Sequence, residues 1–139
     1  MSFFFFSFTI PANTPREQPH TQDIELTPGV IHRVIIIIPP GHAGLAHLQI
    51  KQGAHQVYPT NPDGDFHGDG NQIDFKDWYE LEGAPYSMRL EGWNTDDTFE
   101  HKFLVGLGIL PKWILLPQLF ARKVSRLIDR LRGKTVEVE

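Results

Sequence analysis

The chain has 139 residues, 40% hydrophobic and 22% charged, a balance that suits one folded domain large enough to bury a core. It has no cysteine, which excludes a disulfide scaffold, a thiolate zinc centre and a cysteine nucleophile. The net charge of −4 is unevenly spread: residues 1–111 carry six Lys/Arg against fourteen Asp/Glu, a net −8, and residues 112–134 carry seven Lys/Arg against Asp129, a net +6. Glu137 and Glu139 supply the rest. An acidic body followed by a basic segment implies a separate task for that segment.

Residues 2–10, SFFFFSFTI, are aromatic and β-branched and predict a first strand. Phe3, Phe4, Phe5 and Phe6 must place two rings on each face, so the strand is either sandwiched between layers or meets a partner. The run lacks a basic leader and a small-residue cleavage site, so it reads as a strand and not as a signal core. No stretch approaches the roughly 20 apolar residues needed to span a bilayer. Residues 11–21 hold three prolines and predict a loop or arm. Asp23 to Thr27 alternates with Ile24 and Leu26 inward, and Pro28-Gly29 is a turn signal.

Val30 to Ile50 is the centre of the pattern. Val34 to Ile38 is five β-branched residues in a row, which suits a strand buried on both faces. Pro39-Pro40-Gly41 ends it, because proline has no N–H for a ladder and glycine lets the chain turn. Leu45 to Ile50 then returns with Leu48 and Ile50 on one side and His47 and Gln49 on the other, so a hairpin-like pair is expected here. Gln52 to Tyr58, Gln72 to Leu81, 85–93 (with Tyr86, Met88 and Leu90 on one face) and Thr98 to Leu107 (with Phe99, Phe103 and Val105 on one side) complete about eight strands with no helix between them. Two half-apolar sheets must cover each other, which predicts an all-β antiparallel β-sandwich of jelly-roll or immunoglobulin-like kind over 1–111.

The chain then changes character. Over 112–134, Pro117 suits a first helical turn and Gly133 the position just past a helix end. Leu116, Phe120, Val124, Leu127 and Leu131 fall on one helical stripe, widened by Leu119 and Ile128. Arg122, Lys123, Arg126 and Arg130 lie outside it. The stripe favours packing on the body or on a sister subunit over an anionic membrane surface or nucleic acid, so neither of the last two is the expected partner. Residues 135–139 form a short acidic tail.

The sharpest chemical candidate is the loop Asp63-Gly64-Asp65-Phe66-His67-Gly68-Asp69. Asp63, Asp65, Gly68 and Asp69 fall at positions 1, 3, 6 and 7 of a calcium-binding EF-hand loop, with Asn71 and Asp74 at 9 and 12. His67 stands where an oxygen ligand belongs, Asp74 replaces the bidentate glutamate, and no helices flank the loop. A tight turn, which uses the same residue types, is therefore expected over a calcium site at Asp63, Asp65, Asp69 and Asp74. The seven histidines show no short ligand-like spacing and read as surface or interface residues, with a zinc site the alternative. No nucleophile motif or phosphate loop is present, so neither a catalytic residue nor a cofactor is expected. Trp78, Tyr79, Tyr86 and Trp93 could stack on sugars, against the simpler expectation that they fill the core.

The segments Phe8-Thr9-Ile10-Pro11-Ala12-Asn13-Thr14-Pro15, Gly29-Val30-Ile31, Pro39-Pro40-Gly41, Gly44-Leu45 and Trp93-Asn94-Thr95-Asp96 together resemble small β-sandwich proteins encoded among the virion genes of tailed bacteriophages. The resemblance covers about residues 8–107, is a pattern of turns and strands, and transfers no functional residue. It implies a non-enzymatic structural role in the virion, such as capsid decoration, in repeated copies bound to one another or to other virion proteins. The candidate interface residues are then Phe3, Phe4, Phe5, Phe6, Leu116, Phe120, Arg122, Lys123, Arg126 and Arg130. The competing expectation is a carbohydrate-binding β-sandwich module, with or without calcium.

Overall fold

The structure, a computed structural model, describes residues 2–81, 86–111 and 123–131. Eight strands follow one another: β1 Ser2–Ile10, β2 His20–Glu25, β3 Gly29–Ile38, β4 Ala46–Gln52, β5 His55–Tyr58, β6 Asn71–Leu81, β7 Ser87–Asn94 and β8 His101–Pro111. One helix, α1, is described over 123–131.

The strands form two four-stranded sheets, ordered β1-β8-β3-β6 and β2-β7-β4-β5, with antiparallel neighbours throughout. Apart from β4 and β5, each strand is followed in sequence by one in the opposite sheet. That is the double Greek-key order of a jelly roll, which decides between the two sandwich types expected.

The same order corrects the expected central hairpin. β3 is an interior strand with β6 on one side and β8 on the other, so both of its hydrogen-bonding edges are occupied. β4 pairs with β7 and β5 in the opposite sheet instead. Pro39-Pro40-Gly41, with Gly41 at φ 105°, carries the chain from one layer to the other. Burial along β3 also differs from the expectation: Val34, Ile36 and Ile38 are buried in the core, whereas Ile35 and Ile37 face outward and are half-buried. A bulge between Ile31 and Arg33 breaks the register with both neighbours and resets the alternation, leaving Arg33 exposed to pair with Asp74.

The core lies between the sheets, built from Phe8, Ile10, Ile36, Leu48, Ile50, Leu90, Phe103 and Leu107 among others. β1 divides its phenylalanines as its period of two requires. Phe4 and Phe6 stack on each other and pack against the core. Phe3 and Phe5 stack on the other face, above Gly106 and Gly108 of β8. A Cβ at Gly106 would stand 2.6 Å from Phe5 Cε1, so these glycines make room for the rings. Phe99 does not lie on the last strand as expected: it is 65% exposed in the preceding turn, where Asp96 Oδ1 accepts from the Thr98 and Phe99 amides.

Gly92 on β7 is a point where side chains of the opposite layer press against the backbone. A Cβ there would overlap Ile10 Cδ1 and stand 2.8 Å from Phe8 Cε2 and 2.9 Å from the His47 carbonyl oxygen. Gly92→Val is expected to cost about 1–3 kcal/mol through overpacking. Urea unfolding monitored by tryptophan fluorescence checks this, and an unchanged midpoint contradicts it.

Candidate functional site

The outer face of the sheet β2-β7-β4-β5 collects the polar chemistry. Because Leu48 and Ile50 point inward, His47, Gln49 and Lys51 point outward, as the alternation predicts; they stand opposite Trp93, Glu91 and Arg89 of β7. Glu91 is paired with Lys51 at 2.7 Å and Arg89 at 3.1 Å, so its nearly buried carboxylate is neutralised by two cations.

The loop between β5 and β6 folds over this face. Phe66 forms an isolated bridge with Leu48, exchanging both backbone hydrogen bonds at 2.9 and 3.0 Å, and its ring enters the core. Asp65 and His67, one residue to either side, therefore point outward beside β4. His67 stands across from His47 at a non-hydrogen-bonded position, where facing side chains come closest. Asp65 Oδ1 lies 2.6 Å from His47 Nδ1 and 2.7 Å from His67 Nδ1. The preceding loop is tied down by glutamine amides: Gln49 Nε2 donates to Gly64 O at 2.8 Å, and Gln56 Nε2 to Pro59 O at 2.8 Å and to Asn61 O and Gly64 O at 3.1 Å.

Arg16, from the proline-rich arm, closes the other side. Its guanidinium lies 4.7 Å from the Trp93 ring centroid, and its Nη2 donates to Asp63 O at 3.2 Å. His47 stacks on Trp93 at 5.2 Å and 10°. Between these groups is a polar depression of about 250 Å³, walled by Arg16, Gln49, Lys51, Gln56, Asp63 and Glu91.

The four aspartates of the EF-hand spacing have different partners. Asp65 takes the two histidines, Asp69 Oδ1 accepts from the Gly41 amide at 2.7 Å, and Asp74 pairs with Arg33 at 2.7 Å. The neighbouring guanidinium holds the Asp74 carboxyl below the usual carboxylate range. Asp63 sits in a left-handed turn conformation, φ 62°, at the depression. Among the described residues, the convergent set of three metal-capable side chains is His47, Asp65 and His67, and not the aspartates alone.

The four aromatic residues do not make one platform. Trp78 is 43% exposed on β6 of one sheet, and Trp93 is 6% exposed on β7 of the other. Tyr79 donates to Gln52 Oε1, and Tyr86 packs against the core. Of the interface candidates, Phe3, Phe4 and Phe6 are half-buried and Phe5 is 61% exposed. Lys123, Arg126 and Arg130 are exposed on α1, whose Val124, Leu127, Ile128 and Leu131 also retain 37%, 57%, 43% and 62% exposure. Leu116, Phe120 and Arg122 lie outside the described residues.

Two histidines correct the surface expectation. His42 and His101 are buried at one end of the sandwich, with ring centroids 4.7 Å apart. His42 Nε2 donates to Lys102 O at 2.9 Å, and its ring stands nearly perpendicular to the Phe103 ring, with centroids 4.9 Å apart. His101 Nε2 lies 2.8 Å from Asp96 Oδ2. Burial pushes the His42 imidazole below its ordinary value of 6.5, and hydrogen bonds from the Thr98 amide and His101 hold Asp96 below 3.8. In each case the unfolded chain binds the proton at a higher pH than the folded one, so protonation favours unfolding. The stability these two groups contribute is therefore complete above about pH 6.5, falls as pH drops through the His42 window, and falls again below about pH 3.8. Melting temperatures across this range check the order of the two losses, and a His42→Leu variant is expected to flatten the upper one.

No protein-family model matches the chain, and no curated protein matches it. Among solved structures it is similar to PirA, with TM-score 0.41 and 10% identity over 75% of this chain and 93% of that one. It is similar to hydroxypropylphosphonic acid epoxidase from S. wedmorenis, with TM-score 0.39 and 6% identity over 77% of this chain and 44% of that one. A cupin protein from Bacteroides fragilis aligns with TM-score 0.35 and 10% identity over 78% of this chain and 67% of that one. The chain thus spans less than half the length of the epoxidase. Likeness at this level transfers neither activity nor site residues.

Proposed function

We propose that the chain is a non-enzymatic structural subunit of a virus particle, present in repeated copies and held to neighbours by apolar surface at its two ends. The observation that carries this reading is the amphipathic helix, whose Leu127 and Leu131 retain 57% and 62% exposure beside the cations Lys123, Arg126 and Arg130. Exposed Phe5 on the edge strand β1 adds a second patch at the other end of the chain. The turn-and-strand resemblance to phage virion proteins supports the setting, and the jelly roll is an architecture that capsid proteins use, among others. The mechanism is area burial at about 25 cal/mol per Å², less the cost of association, multiplied by avidity on a repeating surface. Sedimentation velocity of the purified chain is the test. A sedimentation coefficient that rises with concentration supports the reading; a monodisperse monomer that also fails to bind any particle component overturns it.

The polar depression at Arg16, Gln49, Gln56 and Asp63 favours a second reading, a module that binds a small polar ligand such as a sugar. Trp93 does not offer a free stacking face there: it is 6% exposed, with the His47 ring stacked on it and the Arg16 guanidinium over it. Glycan binding that is lost in an Arg16→Ala variant of unchanged stability would favour this second reading.

A further inference from the structure

We propose that His47, Asp65 and His67 form a binding site for one divalent transition ion of the zinc class, on the outer face of the sandwich. The proposal stands apart from any role in a particle, since it rests on geometry within one chain. The three donor atoms, one per side chain, lie within 4.8 Å of one another. Both imidazoles present Nδ1 to a single carboxylate oxygen, at 2.6 and 2.7 Å, so the nitrogens already converge on one point. Around an ion with bonds of about 2.0–2.1 Å, tetrahedral donors sit about 3.3 Å apart. Entry of the ion therefore needs the histidines to move outward by roughly 0.6–0.7 Å. His67, with its side chain 55% exposed, has room to do so.

The surroundings fit a site held in advance. The Leu48–Phe66 bridge fixes the strand positions of His67 and Asp65, and the buried Phe66 ring anchors them from below. The His47 ring is held against Trp93, whose ring also carries the Arg16 guanidinium. The Gln49 and Gln56 amides hold the Gly64 carbonyl, next to Asp65. Supporting contacts of this kind orient ligands and raise affinity. Asp65 and His47 are shielded, with side chains 15% and 21% exposed, while the His67 side opens to solvent as an entry path. Two imidazoles and one carboxylate form a borderline donor set, which favours zinc, cobalt, nickel or copper over calcium or magnesium. With three protein ligands the ion keeps an open position, and a water or an added ligand would complete its coordination.

The test is equilibrium dialysis of the full chain against micromolar zinc chloride with metal analysis, together with the visible spectrum of the cobalt(II) form. The wild-type protein is expected to retain about one zinc per chain, to melt higher with zinc than without it, and to give the intense visible bands of tetrahedral cobalt. His67→Ala and Asp65→Asn, both on the outer face, are expected to weaken binding by roughly tenfold or more. Their metal-free melting curves serve as the folding control. His67→Gln, which keeps a side chain of similar size, separates a ligand role from simple loss of bulk and is expected to bind as weakly as His67→Ala. The proposal is overturned if the wild type retains no zinc. It is equally overturned if the variants retain as much as the wild type, which would assign the ion to other surface histidines.

Discussion

Phe103→Ala is expected to lower the free energy of unfolding by about 3–5 kcal/mol. Phe103 is fully buried on β8, directly opposite Phe8 of β1, and its ring makes a T-shaped contact with His42. Truncation removes the transfer energy of an aromatic ring. It also leaves a cavity that cannot collapse easily, because the β1–β8 ladder and the His42–Lys102 hydrogen bond hold its walls. Domains of this size have about 5–15 kcal/mol in total, so roughly a fifth or more of the stability is at stake. Urea unfolding should show a lowered midpoint at an unchanged slope. A loss below about 1 kcal/mol would mean that this ring is not part of the inter-sheet core.

The second large effect concerns association. Leu127 and Ile128 retain 57% and 43% exposure on α1, so covering them at an interface contributes about 1–1.5 kcal/mol each. Replacing both with aspartate removes that contribution and introduces charge where apolar contact is expected. Self-association or attachment should weaken roughly thirtyfold to a hundredfold, read by sedimentation across a concentration series. The melting temperature of the β-sandwich should change little, since the substitutions lie outside its sheets. If association is unaffected, the helix is not the contact; if the sandwich also melts early, the stripe belongs to the core of a single chain.

Much of the architecture can be read from local pattern. The period of two in Ala46–Gln52 places His47 outward and Leu48 inward, and the structure agrees. The phenylalanine run divides between faces as a strand must. The connectivity cannot be read that way, because Pro39-Pro40-Gly41 ends β3 equally well whether the chain returns in the same sheet or crosses to the other. What decides is that β6 and β8, far along the chain, already occupy both edges of β3.

The site has the same character. Asp65 and His67 are close in sequence, but His47 joins them only because Phe66 bridges to Leu48. Phe66 was the available signal: it is one large apolar residue in a polar loop, and its burial forces both neighbours outward on the same side. The aspartate spacing offered calcium only as the alternative to a tight turn, because turn chemistry and calcium chemistry draw on the same residues. The burial of His42 had no local signal, since it depends on the distant Lys102 carbonyl; His101 shares the inward parity of Phe103 and Val105, with its partner Asp96 five residues away.

The proposed role is that of a structural subunit present in repeated copies. The most direct test is quantitative mass spectrometry of purified particles made from the genome that encodes the chain, with isotope-labelled peptides of this protein and of the major shell protein as standards. The proposal predicts that the chain is retained through purification at many copies per particle, in a fixed ratio to the shell protein. Absence of the chain from particles that are otherwise complete would contradict it.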